Sequence, residues 1–554
     1  MSAMSRRRPL ITAILGRVAR AILAAAAIAA AAGAAGGCGD RAGGWSAPAG
    51  QPQAIGLAHS VALLDLPAQR IVALAAAPHG ALAPRRTPTR RNVVAAASSP
   101  RGDKLYLLSA GHRAALGDPI PDEEPLLTAF DDGPALPVEI KLGLTDPLDG
   151  LAIDPSGSWA VIYAAGKDGS ALVTNPNELV IVDLAAGTAR HHTIHSFGGR
   201  PERIVITRAL ALPGGPAPLL IVQAPQQLAL LPLAPGGAGE LAEITVRLAG
   251  PTAVNPPPPA DIVFDDGDPD DSGDTRIGIR FQGDRNLMML QLVASSDGGA
   301  GFLPSVNVAD AGGVPSDIAF VRTDGGMRLA ALVPATSQAV LIDPVTTATT
   351  LFALPAAYQR LSLVTDGAGA PGGPDVALLW QGSAAASAGG VAFWELGQAA
   401  GRPFRSIETV AIADPVTDVL AVPLAGAAVK ILAGTQAFYV LDLAARTAAP
   451  LVTSTALKQV RLTVSPTGAR VWAFRPGATD LAVTDVGSKQ VRSLRADSSI
   501  DAVFEVGQDT GDGRSLIALH QVGAIGATVY DVDAPDDTGR KIYGGLLVEG
   551  PYAN

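Results

Sequence analysis

The amino-acid sequence predicts an all-β protein assembled from one repeated sheet unit, and three observations predict it. From Leu57 onward, short runs of Val, Ile, Leu and Ala alternate with turn clusters every 8 to 15 residues, a spacing of strands rather than helices. Glycine and proline supply 106 of the 554 residues, and dense turns between short strands consume them. One unit then recurs at intervals of roughly 40 to 50 residues, the period of propeller blades. The fold expected is a single β-propeller of about seven to eight four-stranded blades, with nine as the largest count.

The unit is an apolar strand, a Pro/Gly turn, a second strand, and a strand ending in two apolar residues and Asp. It is clearest over 149–194 and 459–494. Asp154-Pro155-Ser156-Gly157 and Ser465-Pro466-Thr467-Gly468 are the same turn, with proline fixing φ early and glycine taking positive φ late. Asp183 and Asp485 each close a strand just before the turns at Ala186-Gly187 and Gly487-Ser488. Weaker copies span 317–354 and 417–452, and 93–108 carries Ser99-Pro100-Arg101-Gly102. Residues 201–250, 260–310, 360–412 and 500–548 read as diverged units. LAHSVALLDLPAQRIVAL, from 57, reads as a second half alone, able to pair with C-terminal strands and close the ring. Nine full units and an initial half are thus counted, and a chain of about 490 residues fits seven or eight enlarged blades.

These residues resemble the YVTN-type and lactonase-like β-propeller repeats of secreted bacterial proteins, in which a proline-glycine turn and a strand ending in Asp recur per blade. The resemblance implies a fold and no activity, because propellers host many unrelated functions.

The N-terminus predicts export. Arg6, Arg7, Arg8, Arg17 and Arg20 precede an alanine-rich apolar run from Ala21 to Ala35, the order of a secretory signal. That run is shorter than the roughly twenty residues of a membrane span. It ends in Ala35-Gly36-Gly37-Cys38, which holds the chain's only cysteine. This segment resembles the bacterial lipobox, with Ala35 where leucine is usual. The resemblance implies cleavage of residues 1–37 and lipidation of Cys38, while the plainer alternative is an ordinary signal with a leftover thiol. Gly39 after the cysteine resembles lipoproteins sorted to an outer membrane. Residues 38–56 read as the acylated cysteine and a flexible tether, and 57–554 as the propeller domain.

Removing five basic residues with the leader leaves 36 basic against 51 acidic, a net charge near −15. That excludes a nucleic-acid partner, which requires a basic face. A single cysteine supplies no disulfide framework, so the hydrophobic core must hold the domain.

Candidate sites are few. Asp266, Asp268, Asp270 and Asp274 stand at positions one, three, five and nine of an acidic loop, a spacing that gathers hard oxygens round calcium. Asp271 at position six and Ile277 at twelve depart from an EF-hand. The alternative is a solvated hairpin between DIVF and TRIGIRF. His191, His192 and His195 fall on one expected strand, where alternation places His192 opposite the other two. The three are therefore not expected to converge, and a metal site needs partners from elsewhere. Arg101-Gly102-Asp103 lies in a Pro/Gly turn, and the glycines from Gly367 to Gly372 lead into a strand rather than the helix that a dinucleotide site needs.

No G-x-S-x-G, G-x-x-x-x-G-K, H-E-x-x-H or C-x-x-C motif occurs, so no catalytic residue is nominated. The expected function is a non-catalytic, cell-envelope-anchored module that binds or scaffolds a protein or polysaccharide, attached to the membrane through its lipid. The alternative is an envelope hydrolase or lactonase-like enzyme using the central channel, with a divalent metal.

Overall fold

A computed structural model describes residues 52–553 apart from 113–121, 145, 167–172, 196–199, 213–214, 234–241, 249–256, 267–274, 295–301, 365–374, 385–389, 398–405, 423–428, 454–459, 468, 509–512, 521–524, 533–539 and 548–551. Its strands form ten antiparallel sheets, each joining neighbours in chain order. In sequence they are blade 1 (53–88), blade 2 (93–141), blade 3 (150–193), blade 4 (203–247), blade 5 (259–310), blade 6 (317–353), blade 7 (360–410), blade 8 (418–453), blade 9 (461–495) and blade 10 (502–553). Nine have four strands, and blade 10 adds a fifth, Tyr552–Ala553. The protein is a ten-bladed β-propeller.

Every unit identified in the sequence is a blade, but the expected count of seven to nine is too low. The stretch read as a half-unit from 57 is a complete sheet, because Gln53–Gly56 pairs ahead of it and Ala81–Pro88 pairs behind it. Gln53–Gly56 therefore belongs to the domain rather than to the tether. Both added strands lack an apolar run, and Ala81–Pro88 carries two prolines and two arginines, as edge strands do.

First strands contact one another between blades 2 and 3, 3 and 4, 5 and 6, 6 and 7, and 10 and 1, so first strands line the ring's inner wall. Fourth strands expose most residues, as in Thr349–Ala353 and Val491–Arg495, and form the outer edges. The middle strands are buried on both faces, as in Glu178–Asp183 and Val376–Trp380. Each face packs on a neighbouring blade, and ten apolar clusters fill the ten junctions.

The sequence device at the third-to-fourth strand turn is an Asx turn. Asp183 accepts the N–H groups of Ala185 and Ala186 at 3.0 and 2.9 Å, and Asp343 those of Val345 and Thr346 at 2.9 Å each. Asp442 repeats it with Ala444 and Ala445, and Asp485 accepts from Ser488 at 2.7 Å. These donors hold the Asp343 and Asp485 carboxyls below the usual carboxylate range. Four residues after each Asp the chain turns left-handed, at Gly187, Thr347, Arg446 and Lys489.

The ring closes by packing and not by strand exchange. Val61, Leu63, Val72 and Leu74 of blade 1 share a cluster with Val506, Ile517, Leu519 and Val529 of blade 10. Gly507 N–H donates to the Ala58 carbonyl at 2.7 Å, and a Cβ on Gly507 would stand 3.2 Å from that oxygen and 2.7 Å from the His59 ring. Gly507→Val should therefore lower stability by about 1 to 3 kcal/mol, the usual cost of overpacking. Denaturant unfolding reads this directly; an unchanged midpoint would mean that the seam is open in solution.

Candidate functional site

The inner wall comes first, because a catalytic propeller would collect side chains there. Sheets stacked about 10 Å apart give ten blades a mid-width circumference of about 100 Å, a radius of about 16 Å. Four strands about 4.8 Å apart are about 14 Å wide, so the innermost backbones stand about 9 Å from the axis. Opposite backbones then stand about 18 Å apart. Among the described residues, charged groups such as Arg280 and Arg360 pair within a blade or with the adjacent one.

One such network is present. Arg280 of blade 5 donates its Nε to Asp261 at 2.6 Å and Nη1 to the Pro315 carbonyl at 3.1 Å. Asp317 opens the first strand of blade 6 and accepts the Leu361 N–H of blade 7 at 3.0 Å, with Arg360 Nη1 at 3.8 Å from its other oxygen. Burial pushes the Asp317 carboxyl up to about 6; the Leu361 N–H and Arg360 oppose the rise, and Asp261 adds to it. A carboxyl titrating near 6 suits general acid chemistry, yet both Asp317 oxygens face donors of blades 6 and 7. The network joins blades 5, 6 and 7.

The histidine segment departs from expectation. His191 and His192 do point to opposite faces: His191 meets Glu178 at 2.6 Å and the Leu142 carbonyl at 2.7 Å, whereas His192 Nε2 meets Glu243 at 2.9 Å. The strand Thr188–Thr193 ends before His195, so alternation no longer governs it. His195 Nδ1 turns to the same Glu243 Oε2 at 3.1 Å. His192 and His195 therefore converge, and the partner from elsewhere is Glu243, beside the outer strand Ile244–Arg247 of blade 4. The His192 and Glu243 side chains are buried, and His195 is exposed. The histidine and amide hydrogen bonds outweigh desolvation and keep the Glu243 carboxyl below its usual range. Nothing local in the sequence linked residues 51 positions apart.

Asp266 ends the strand Pro259–Asp266 and pairs by backbone with Thr275, so DIVF and TRIGIRF lie in adjacent antiparallel strands. Asp268, Asp270 and Asp274 lie outside the described residues, as do Cys38 and the glycines from Gly367 to Gly372. Arg101-Gly102-Asp103 is a turn: Gly102 has φ 71° and its N–H bonds the Ser99 carbonyl at 3.0 Å.

A further surface escaped the sequence reading. The outer strand of blade 5, Phe302–Asp310, is nine residues long and exposes Leu303, Val306 and Val308. Alternation puts Val306 and Val308 on one face of the strand and Leu303 and Asn307 on the other, and Asn307 Nδ2 donates to the Pro344 carbonyl of blade 6 at 2.9 Å across the junction. The strand ends its sheet, so its outward backbone groups lack a strand partner.

No protein-family profile matches the chain, and no curated protein sequence does. Among solved structures, the chain is similar to dihydro-heme d1 dehydrogenase NirN in complex with DHE, at 14% identity over 82% of this chain and 77% of that one, TM-score 0.39. It is also similar to Porphyromonas gingivalis dipeptidyl peptidase 4, at 10% identity over 86% and 66%, TM-score 0.39. The Dos1 propeller matches at 12% identity over 66% and 88%, TM-score 0.37. Likeness at this level carries nothing about what the chain binds, and the fold rests on the chain's own ten sheets.

Asp317 generates a pH prediction. Its folded-state pKa lies above the ordinary 3.8, so between about pH 4 and 6 the folded chain keeps a proton that the unfolded chain releases. Stability then falls as pH rises through that window, by about 2 to 3 kcal/mol in all. Asp317→Asn should remove this slope in urea unfolding series at pH 4 and pH 7; an unaltered slope would contradict the assignment.

Proposed function

We propose that the protein is a membrane-tethered binding or scaffolding propeller of the cell envelope, and that the outer edge strand of blade 5 receives a protein partner. The observation that carries this reading is the exposed pair Val306 and Val308, which share one face of an open edge strand. An open edge accepts an added strand through its backbone while side chains select the sequence. Pro304 removes one donor from the strand, which leaves the edge less able to pair with copies of itself. Among the described residues the large exposed apolar side chains are all Leu and Val. Aliphatic side chains suit a peptide better than the flat faces of sugar rings.

Support for the anchor comes from the leader and from Cys38, with residues 39–52 as the spacer. The enzymatic alternative has less behind it, since the wide channel separates opposing blades and the Asp317 oxygens face donors from the blades they join.

Envelope extracts passed over the full-length chain should yield a partner that the double variant Val306→Lys, Val308→Lys no longer retains, with its melting temperature unchanged. Equal capture by the variant would contradict the docking edge. Cys38→Ser should move the protein from the membrane to the soluble fraction; unchanged fractionation would remove the lipid from the account.

A further inference from the structure

We infer that His192, His195 and Glu243 form a binding site for a divalent first-row transition metal, zinc among them, on the outer rim between blades 3 and 4. This is independent of the docking edge. The donor atoms, His192 Nε2, His195 Nδ1 and a Glu243 carboxylate oxygen, all lie within 4.8 Å of one another. Two imidazole nitrogens and one carboxylate oxygen are a donor set that zinc accepts, with a fourth tetrahedral position left to solvent.

The carboxylate is already oriented for the role. Oε1 of Glu243 accepts the Thr245 hydroxyl at 3.2 Å, and the His195 N–H is shared between Oε1 at 3.1 Å and Oε2 at 2.9 Å. Oε2 also faces both imidazoles, at 2.9 and 3.1 Å. Hydrogen bonds to the second oxygen of a ligating carboxylate fix its direction and tune its basicity. Here the Thr245 hydroxyl and the His195 N–H hold the carboxylate with Oε2 toward the two imidazoles.

Charge supplies the second argument. Glu243 is buried, with 2% of its side chain exposed, and its described hydrogen-bond partners are two histidines and a threonine, with no Lys or Arg. A buried carboxylate is costly without a cation beside it. A divalent ion shared with the two imidazoles supplies that cation.

His195 is 72% exposed, so the metal has a path from solvent and His195 can be replaced without disturbing packing. Calcium and magnesium prefer all-oxygen shells. A site with two nitrogens discriminates against them.

The test is titration calorimetry of chelator-stripped full-length protein with zinc chloride, and with magnesium chloride in parallel. Zinc should bind one per chain and raise the melting temperature by about 2 °C or more, while magnesium does neither. His195→Ala should weaken zinc binding more than about tenfold without changing the melting temperature of the metal-free protein, and Glu243→Gln should weaken it similarly. His79→Ala, at another exposed histidine, should bind as the parent does. Zinc binding that is undiminished in His195→Ala, or absent from the parent at about millimolar zinc, would overturn the site.

Discussion

The fold depends on the burial of each sheet's two faces against its two neighbours. A four-stranded sheet whose middle strands read VKILA or WAVIY cannot leave either face in water, and at about 25 cal/mol per Å² of apolar surface the cost grows with every blade. An open row would strand two faces, one at each end. Closure of blade 10 on blade 1 removes both at once. Polar clasps then fix the register of neighbours, as where buried Glu505 accepts Ser465 and Trp472 of blade 9 at 2.8 and 2.7 Å.

That requirement explains what was legible in the sequence. The clearest units, 149–194 and 459–494, fall within two residues of blades 150–193 and 461–495 because their middle strands are apolar throughout and their turns are chemically specified. Asp183, Asp343, Asp442 and Asp485 are readable as strand ends because each accepts backbone N–H groups of the turn that follows. The missing blade was lost at its margins. First and fourth strands meet the channel or solvent on one side, so QAIG and ALAPRRTP carry weak patterns, and a unit with two weak margins reads as half a unit.

The candidate sites were less legible for a related reason. Strand alternation is a local rule, valid while the ladder lasts, and it separated His191 from His192 correctly. It failed for His195 two residues past the strand end. Glu243 comes from the next blade, and a closed ring brings such residues together in an order set by blade packing. The exposed Val306 and Val308 were hidden differently: they are ordinary strand formers, and only the position at the sheet edge exposes them.

Ring size then connects fold to function. Ten blades hold the inner wall wide, so charged residues there bridge neighbours, as Asp261, Arg280, Asp317 and Arg360 do across blades 5 to 7. Both candidate surfaces, the His192–His195–Glu243 cluster and the Phe302–Asp310 edge, lie on the outer rim. The measurement that tests this account most directly is a single-particle cryo-EM reconstruction of the full-length protein. The account predicts ten radial sheets in a closed ring, with 53–88 packed against 502–553 and innermost backbones about 9 Å from the axis. Fewer sheets, or a gap at that seam, would contradict it.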